Sequence, residues 1–252
     1  MPVIIEAREK FEELVAENNL STENIKITAE GLDPEEAIGH PERQDFPLLQ
    51  GEEVMIEAKF KNSRGQAFTD QPGEYEGTLE EILSFDLDSS YRRALLVAAI
   101  NVVLRDLDLI EKTVHCRDDD MEDCAEEIMA WIKTNHGELQ TIGLIGFQPA
   151  FLEAAAKTFG SNNILVTDLN QDRIGGSDYG IEVRNGEKFN RRLIKKSGFV
   201  LVTGSTMING SAGKLLELFA EQNKDFAFYG NTITGLAYLM DLPQLCFYGR
   251  RG

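Results

Sequence analysis

Cysteine, histidine and tryptophan are scarce in this sequence, whose 252 residues include three cysteines, three histidines and one tryptophan. A low and odd number of cysteines does not describe a disulfide framework, so we expect a reducing compartment. The histidines are His40, His115 and His136, and none lies near a candidate serine in the sequence. The scarcity therefore argues against a disulfide-stapled fold and against a Ser-His-Asp triad.

Long apolar runs are missing, and acidic residues outnumber basic ones. The most apolar segment, ALLVAAINVVL, is shorter than the ~20 residues that a membrane-spanning helix needs, and the first residues, MPVIIEAREKFEELV, lack the pattern of a signal peptide. The formal net charge is −18, which opposes binding to nucleic acid and to anionic membranes. We therefore expect a cytoplasmic protein whose partner is a small molecule, with no nucleic-acid or membrane partner; the sequence leaves open whether it forms a homo-oligomer.

The first half of the sequence, residues 1–112, predicts an α+β domain with a small antiparallel sheet. EEVMIEAKFKNSRGQAFTD contains two β-like runs on either side of NSRG, a pattern typical of a hairpin turn. Thr78 and Glu81 have the spacing of a capping box at a helix start. DSSYRRALLVAAINVVLRDL predicts a helix capped by Asp88 or Ser89.

The second half, residues 137–252, alternates between strand-like and helical patterns. The apolar runs TIGLIGF, NILVTDLN, FVLVTGS, DFAFYGN and QLCFYG are separated by helical segments. This alternation is typical of an open parallel sheet with helices on both faces, a Rossmann-like α/β arrangement. Residues 113–136 remain as a linker and connecting helix between two predicted domains.

The two common phosphate-binding loops are absent. GFQPAF follows the first strand of the second half but lacks the G-x-G-x-x-G pattern of dinucleotide-binding proteins. GSTMINGS has the glycine spacing of a Walker A loop without the lysine after its second glycine. The usual phosphate-binding loops for NAD and ATP are thus disfavoured. The sequence does not identify a cofactor, and a transition metal or a chelator ligand remain the open alternatives.

Glycine, hydroxyl and amide residues follow nearly every strand of the second half. Ligands of an open α/β sheet bind beyond the carboxyl ends of its strands, so we expect a binding site there. Small residues let a ligand approach the backbone closely. The candidate binding residues are Gly146, Phe147, Gln148, Asp168, Asn170, Thr203, Gly204, Ser205, Thr206, Asn209, Gly230, Asn231 and Thr232.

Asp168 is the strongest single candidate. An acidic residue at the end of the second strand of such a fold often hydrogen-bonds a ribose or a comparable diol. The alternative is a solvated turn aspartate beside Asn170.

The segment TVHCRDDDMEDC, residues 113–124, has two interpretations. His115, Cys116 and Cys124 could bind zinc or another late transition metal. The alternative is an ordered linker in which Cys124 lies in a helix and faces the core with Ile128, while the aspartates stabilise the first helical turn. The helical pattern favours the second interpretation for Cys124, and His115 and Cys116 remain the candidate metal ligands.

Six motifs, taken in order, resemble a known family: GQAFTD, YRRALLVAAIN, TVHCRDDD, GFQPAFLEA, VTDLN and TGSTMINGS. The family is the bacterial and archaeal one described as a "putative heavy-metal chelation" domain. The resemblance implies a Rossmann-like C-terminal domain, an N-terminal domain similar to the enolase N-terminal fold, and a ligand site in the cleft between them. The implied N-terminal contributors are Gln66, Thr69 and Asp70, with Tyr91, Arg92 and Asn101 as weaker candidates.

The leading functional hypothesis is a small-molecule-binding protein or enzyme that uses this cleft. Its ligand would be a pterin-, flavin- or siderophore-like compound that chelates metal, and the chemistry would be condensation or hydrolysis with Asp168 or Asp70 as the general base. One alternative is a protein that binds or delivers heavy metal directly through His115, Cys116 and Cys124. Another is a methyltransferase-like enzyme that uses S-adenosylmethionine.

Overall fold

The computed structural model describes residues 2–28, 34–51, 53–137 and 139–252. Within these ranges the helices are α1 (Pro2–Glu17), α2 (Pro34–Ile38), α3 (Leu79–Leu83), α4 (Ser90–Asp106), α5 (Asp120–His136), α6 (Pro149–Phe159), α7 (Gly186–Lys196), α8 (Ser205–Ile208), α9 (Ala212–Glu221) and α10 (Thr234–Met240). The strands are β1 (Asn24–Ile27), β2 (Val54–Phe60), β3 (Ser63–Thr69), β4 (Tyr75–Thr78), β5 (Lys112–Val114), β6 (Ile142–Ile145), β7 (Ile164–Asp168), β8 (Ser177–Asp178), β9 (Ile181–Asn185), β10 (Phe199–Thr203), β11 (Phe226–Tyr229), β12 (Gln244–Leu245) and β13 (Arg250–Arg251).

The first half folds into an antiparallel sheet of order β3-β2-β1-β4. The predicted hairpin is present, but its turn lies at residues 61–62 rather than at NSRG, because Phe60 pairs with Ser63. Lys61 has a φ of 50°, which is the left-handed conformation that a two-residue hairpin turn requires. The capping box of α3 is confirmed, since Thr78 accepts from the backbone N–H of Glu81.

The second half folds into a larger sheet of order β12-β11-β10-β6-β7-β9-β8. Every neighbouring pair is parallel except β8 and β9. This confirms the predicted α/β fold, in which helices flank a mostly parallel sheet. Strands β8 and β9 fall in a stretch that the sequence pattern left unassigned.

Two hydrophobic clusters cover the two faces of the larger sheet. Side chains alternate between them along β10, where Val200 and Val202 face one cluster while Phe199 and Leu201 face the other. The first cluster also contains most of α4 and the inward side chains of the smaller sheet. One continuous core thus joins both sheets. The domain boundaries at residues 112 and 136 remain a prediction from the sequence.

Helix α4 is buried on all sides. It packs against β2 and β3 on one side and against α8 and α10 on the other, and the capping Ser89 side chain accepts from the backbone N–H of Arg92. Arg93 is buried too, and its guanidinium donates to the carbonyls of Ile208 and Leu87 at 2.5 and 2.8 Å. The helix therefore holds the two sheets together.

The chain end returns to the linker. Strand β13 pairs antiparallel with β5, so residues 112–114 and 250–251 form a small separate sheet. The guanidinium of Arg105 donates to the carbonyl of Gly252 at 3.1 Å. None of the helices in the described ranges is long and apolar enough to cross a membrane.

Substituting Gly65 with alanine is expected to destabilise the protein by about 3 kcal/mol, because added bulk in a packed interior strains it. An alanine Cβ at this position of β3 would lie 2.9 Å from the Cα of Val102 in α4, well inside normal contact. Urea unfolding followed by circular dichroism measures the change. The exposed Lys26 of β1, replaced with alanine, is the control and should change stability by no more than about 0.5 kcal/mol. Equal effects of the two substitutions would contradict the close helix–sheet packing.

Candidate ligand-binding site

A cavity of about 170 Å³ lies at the carboxyl ends of the central strands of the larger sheet. Strands β7 and β10 lie on opposite sides of β6, so the direction of the chain connections reverses here, which is where open α/β sheets bind ligands. The sequence-predicted residues that line it are Gly146, Phe147, Gln148, Asp168, Thr203, Gly204, Ser205, Thr206, Asn209, Gly230, Asn231, Thr232, His115 and Cys116.

The weaker candidates Tyr91, Arg92 and Asn101 lie in α4 and do not line this cavity, and neither do four of the other sequence-predicted residues. Asn170 lies just beyond it and accepts a hydrogen bond from the backbone of Asp172 at 3.0 Å. The hydroxyl of Thr69 accepts from the backbone N–H of Gln71 at 3.1 Å, and Asp70 is exposed. The fourth, Gln66, is buried behind the cavity wall.

Gln66 connects the smaller sheet to the linker. Its Nε2 donates to the buried carboxylate of Glu57 at 2.9 Å, and its Oε1 accepts from the backbone N–H of His115 at 2.7 Å. Its contact with the site is therefore indirect, through the position of His115.

The carboxylate of Asp168 holds two loops at the rim. Its Oδ2 accepts from the backbone N–H of Phe147 at 2.5 Å, and its Oδ1 accepts from the backbone N–H of Asn170 at 2.7 Å. The first bond ties the end of β7 to the turn after β6, where Gly146 has a φ of 98°. Asp168 therefore fixes the shape of the cavity while presenting its remaining lone pairs to the site.

The loop after β10 is ordered by its own hydroxyl groups. The hydroxyl of Thr206 donates to the carbonyl of Thr203 at 2.8 Å, and the backbone N–H of Ser205 donates to the hydroxyl of Thr203 at 3.3 Å. Ser205 forms no hydrogen bond to a histidine within the described residues. The arrangement offers polar contacts to a ligand rather than a nucleophile with a base.

The loop after β11 bridges the two halves. The hydroxyl of Thr232 accepts from the backbone N–H of Phe68 in β3 at 3.1 Å. The Nδ2 of Asn231 donates to the carbonyl of Thr113 in β5 at 3.4 Å. Residues of both halves therefore define the position of this part of the wall.

His115 forms a neutral part of the wall. Its Nδ1 lies 2.6 Å from the carbonyl oxygen of Cys116, which can only accept, so Nδ1 carries the proton. The ring of Phe68 packs edge-on against it at 5.2 Å between ring centroids. Burial lowers the pKa of His115 to about 4, so the imidazole is uncharged at neutral pH.

The His115 ring is expected to titrate near pH 4, with a midpoint measurable from the histidine ring signals in an NMR pH series and assigned with the variant His115→Gln. Because the unfolded chain takes up this proton near pH 6.5, its contribution to stability is present above that pH and is lost as pH falls from about 6.5 to 4. His115→Gln should accordingly lose less stability than wild type over this window. The exposed His40, changed to glutamine, is the control, and a midpoint near 6.5 for His115 would contradict its burial.

Three cysteines line the cavity: Cys116 and Cys124, which are neighbours in the sequence, and Cys246, which lies near the other end of the chain. Burial raises the pKa of all three thiols, that of Cys246 to about 11, so they are protonated at neutral pH.

In the described ranges, no group of three or more His, Cys, Asp or Glu side chains is placed to hold a metal ion. The present geometry does not fit a metal centre, and ligation by His115 and Cys116 stays a prediction. Cys124 lies in α5 facing the core, as the helical pattern predicted.

Part of the wall comes from the segment of residues 40–50, which the sequence did not single out. Phe46, Pro47 and Leu48 line the cavity, as do Glu53 and Tyr229. The irregular backbone of this segment gives no periodic signal from which its position could be predicted.

Arg43 anchors the segment of residues 40–50 to the second half. Its Nε lies 3.3 Å from the carboxylate of Glu122 in α5, and its Nη2 pairs with the carboxylate of Glu153 in α6. The hydroxyl of Tyr179 contacts the same guanidinium at 3.3 Å. The side chain of Arg43 is only 14% exposed, so these ion pairs are better shielded from solvent than surface pairs.

Comparisons with known proteins find one family. Residues 130–241 match the DUF364 family model, which is described as "Putative heavy-metal chelation". A solved DUF364 structure of unknown function from Pyrococcus horikoshii is 16% identical, covers 91% of this chain and 79% of its own, and gives a TM-score of 0.51. A second DUF364 structure of unknown function, from Desulfitobacterium hafniense DCB-2, is 11% identical. The match covers 79% of this chain and 77% of that chain, with a TM-score of 0.49.

A comparison with curated proteins found no match. The likeness to the Pyrococcus horikoshii structure supports the fold alone, because the identity of 16% is low. The resemblance predicted from the ordered motifs is confirmed: this chain matches the DUF364 family over residues 130–241.

Proposed function

We propose that this chain binds a small molecule in the cavity at the strand ends and either carries that molecule or acts on it by condensation or hydrolysis. The observation that supports the proposal is the convergence of the polar strand-end residues on one cavity whose wall is completed from both halves of the chain. The match to a family described as "Putative heavy-metal chelation" favours a ligand that itself chelates metal, such as a pterin-, flavin- or siderophore-like compound.

The size of the cavity narrows the set of candidate ligands. Its volume of about 170 Å³ lies close to the 150 Å³ of an engineered cavity that binds benzene, and below the roughly 300–1,000 Å³ of drug-sized sites. One- or two-ring compounds of the pterin type are therefore favoured over whole flavins and over S-adenosylmethionine. Among the candidate bases, Asp168 lines the cavity and Asp70 does not.

A thermal-shift panel tests the proposal, using pterins, flavins, catechols, S-adenosylmethionine, nucleotides, zinc and nickel. A ligand that binds the native state stabilises it by about 2.7 kcal/mol when present at one hundred times its dissociation constant. The variant Ser205→Phe places a ring at the cavity wall and should abolish the shift. Ser177→Phe, which lies on the exposed strand β8, is the matched control and should retain it.

The outcomes separate the alternatives. A pterin or catechol shift that Ser205→Phe removes supports the proposal. A shift from zinc or nickel alone that survives Ser205→Phe would instead support direct metal binding. A shift from S-adenosylmethionine alone would support the methyltransferase-like alternative, and a panel without any shift would contradict binding at this cavity.

A further inference from the structure

One buried hydrogen-bond acceptor at the cavity wall has no donor among the residues that the structure describes. Asn231 is 1% exposed and lines the cavity, and its Oδ1 makes no hydrogen bond within the described part of the chain. The Nδ2 of the same amide points to the carbonyl of Thr113, which fixes the orientation, because an amide oxygen there would face another oxygen. Buried acceptors are nearly always paired, so this oxygen is suited to a donor that a ligand brings.

The charged side chains that line the cavity are carboxylates. Glu53 and Asp168 both line it, and no lysine or arginine is among its described lining residues. The guanidinium of Arg173 stacks on the ring of Phe147 at 4.7 Å, but Arg173 itself does not line the cavity. An anionic group would thus enter against charge of its own sign, whereas a cation would be attracted.

Beside the polar residues of the strand ends, five aromatic rings line the cavity. Phe46, Phe68, Phe147, Phe151 and Tyr229 line it, and the volume of about 170 Å³ accommodates a substituted ring. The ring of Phe151 packs against that of Tyr229 at 4.5 Å between centroids, which forms a firm surface for a flat ligand.

We propose that this cavity selects a flat ring that is uncharged or cationic and carries an N–H donor, such as an amino-heterocycle or an aryl amidine, and that it rejects carboxylates and phosphates of the same shape. The inference rests on the proposed function, since it names the ligand class of the same cavity. The donor pairs with Oδ1 of Asn231, and the carboxylates of Glu53 and Asp168 supply the charge preference.

Benzamidine, benzamide and benzoate test the charge preference because they share size and shape and differ in charge. Calorimetry or ligand-observed NMR on the whole protein should give the order benzamidine, then benzamide, then benzoate, with benzoate at least tenfold weaker than benzamidine. Benzoate that binds as tightly as benzamidine would overturn the inference while leaving a small-molecule site in place. No binding by any of the three would also overturn it, and the pterin and catechol panel then decides the proposed function separately.

The variant Asn231→Leu tests the donor contact. It removes the unpaired acceptor at similar volume and should weaken benzamide at least tenfold, while the same substitution at the exposed Asn135 in α5 should leave the affinity unchanged. Equal benzamide affinity in both variants would overturn the role of Asn231. If Asn231→Leu does not fold, the order of the three rings in the wild-type protein still decides the charge preference.

Discussion

Replacing Asn101 with leucine is expected to lower the free energy of unfolding by roughly 3–6 kcal/mol, because each buried group left without its partner costs about 1–3 kcal/mol. Asn101 is fully buried in α4, and its Nδ2 donates to the carbonyls of Gln66 and Thr232 at 2.9 and 3.1 Å. Its Oδ1 accepts from the backbone N–H of Gly235 at 2.7 Å. Leucine has a similar volume and can satisfy none of these groups.

The loss would be a large part of the 5–15 kcal/mol that typically stabilises a folded chain. At about 2–4 °C per kcal/mol for a chain of this size, the unfolding temperature should fall by about 6–24 °C, as calorimetry would measure. Asn162→Leu on the exposed surface is the matched control and should change it little. If the two variants unfolded at the same temperature, the bridging role of Asn101 would be wrong.

Replacing Asp168 with alanine is expected to destabilise the protein by roughly 2–4 kcal/mol and to weaken ligand binding at least tenfold. Hydrogen bonds to a charged group contribute about 1.5–3 kcal/mol each, and the sum for two bonds is reduced here because Asp168 is only partly buried. The alanine leaves the backbone N–H groups of Phe147 and Asn170 without their acceptor. The turn after β6 then loses its tie to β7, and the wall formed by Phe147 is no longer held in place.

Urea unfolding and calorimetric titration with the best ligand of the thermal-shift panel measure the two effects of Asp168→Ala. Asp178→Ala in the exposed strand β8 is the control for loss of a carboxylate and should match wild type in both. A variant with normal stability and reduced affinity would assign Asp168 to ligand contact alone. A variant with normal stability and normal affinity would remove it from the site.

The sequence predicted the parts of the fold in which apolar residues recur at a regular spacing. The alternation of apolar and helical segments identified the parallel sheet, because strands buried on both faces must be apolar throughout. The positions of the strand ends then located the cavity, since parallel strands present their carboxyl ends at one edge. Cap chemistry identified the start of α3 at Thr78, where the signal depends on a few neighbouring residues.

The sequence did not predict contacts that depend on tertiary arrangement. Strand β9 has charged residues between its apolar ones and no helix before it, so it lacks the pattern of the other parallel strands. Cys246 meets Cys116 only because the last strands return to the linker. Gln66 lies behind the wall because it bonds the backbone of His115, and Asp70 lies outside the wall because β3 ends at Thr69; neither contact leaves a pattern in the sequence.

The segment of residues 40–50 covers one side of the cavity through Phe46, Pro47 and Leu48. Rotating the two halves apart would expose the continuous core around α4 to water. Moving this segment would break the ion pairs of Arg43 and would also expose Phe46 and Leu48, which are buried in the second hydrophobic cluster. Gly39 and Gly51, each with a φ of +74°, stand at its two ends, and the carboxylate of Asp118 holds the first end by accepting from the backbone N–H of His40 at 2.9 Å. Salt, which weakens ion pairs, should therefore loosen the Arg43 contacts of this segment while the burial of Phe46 and Leu48 still holds it against the core.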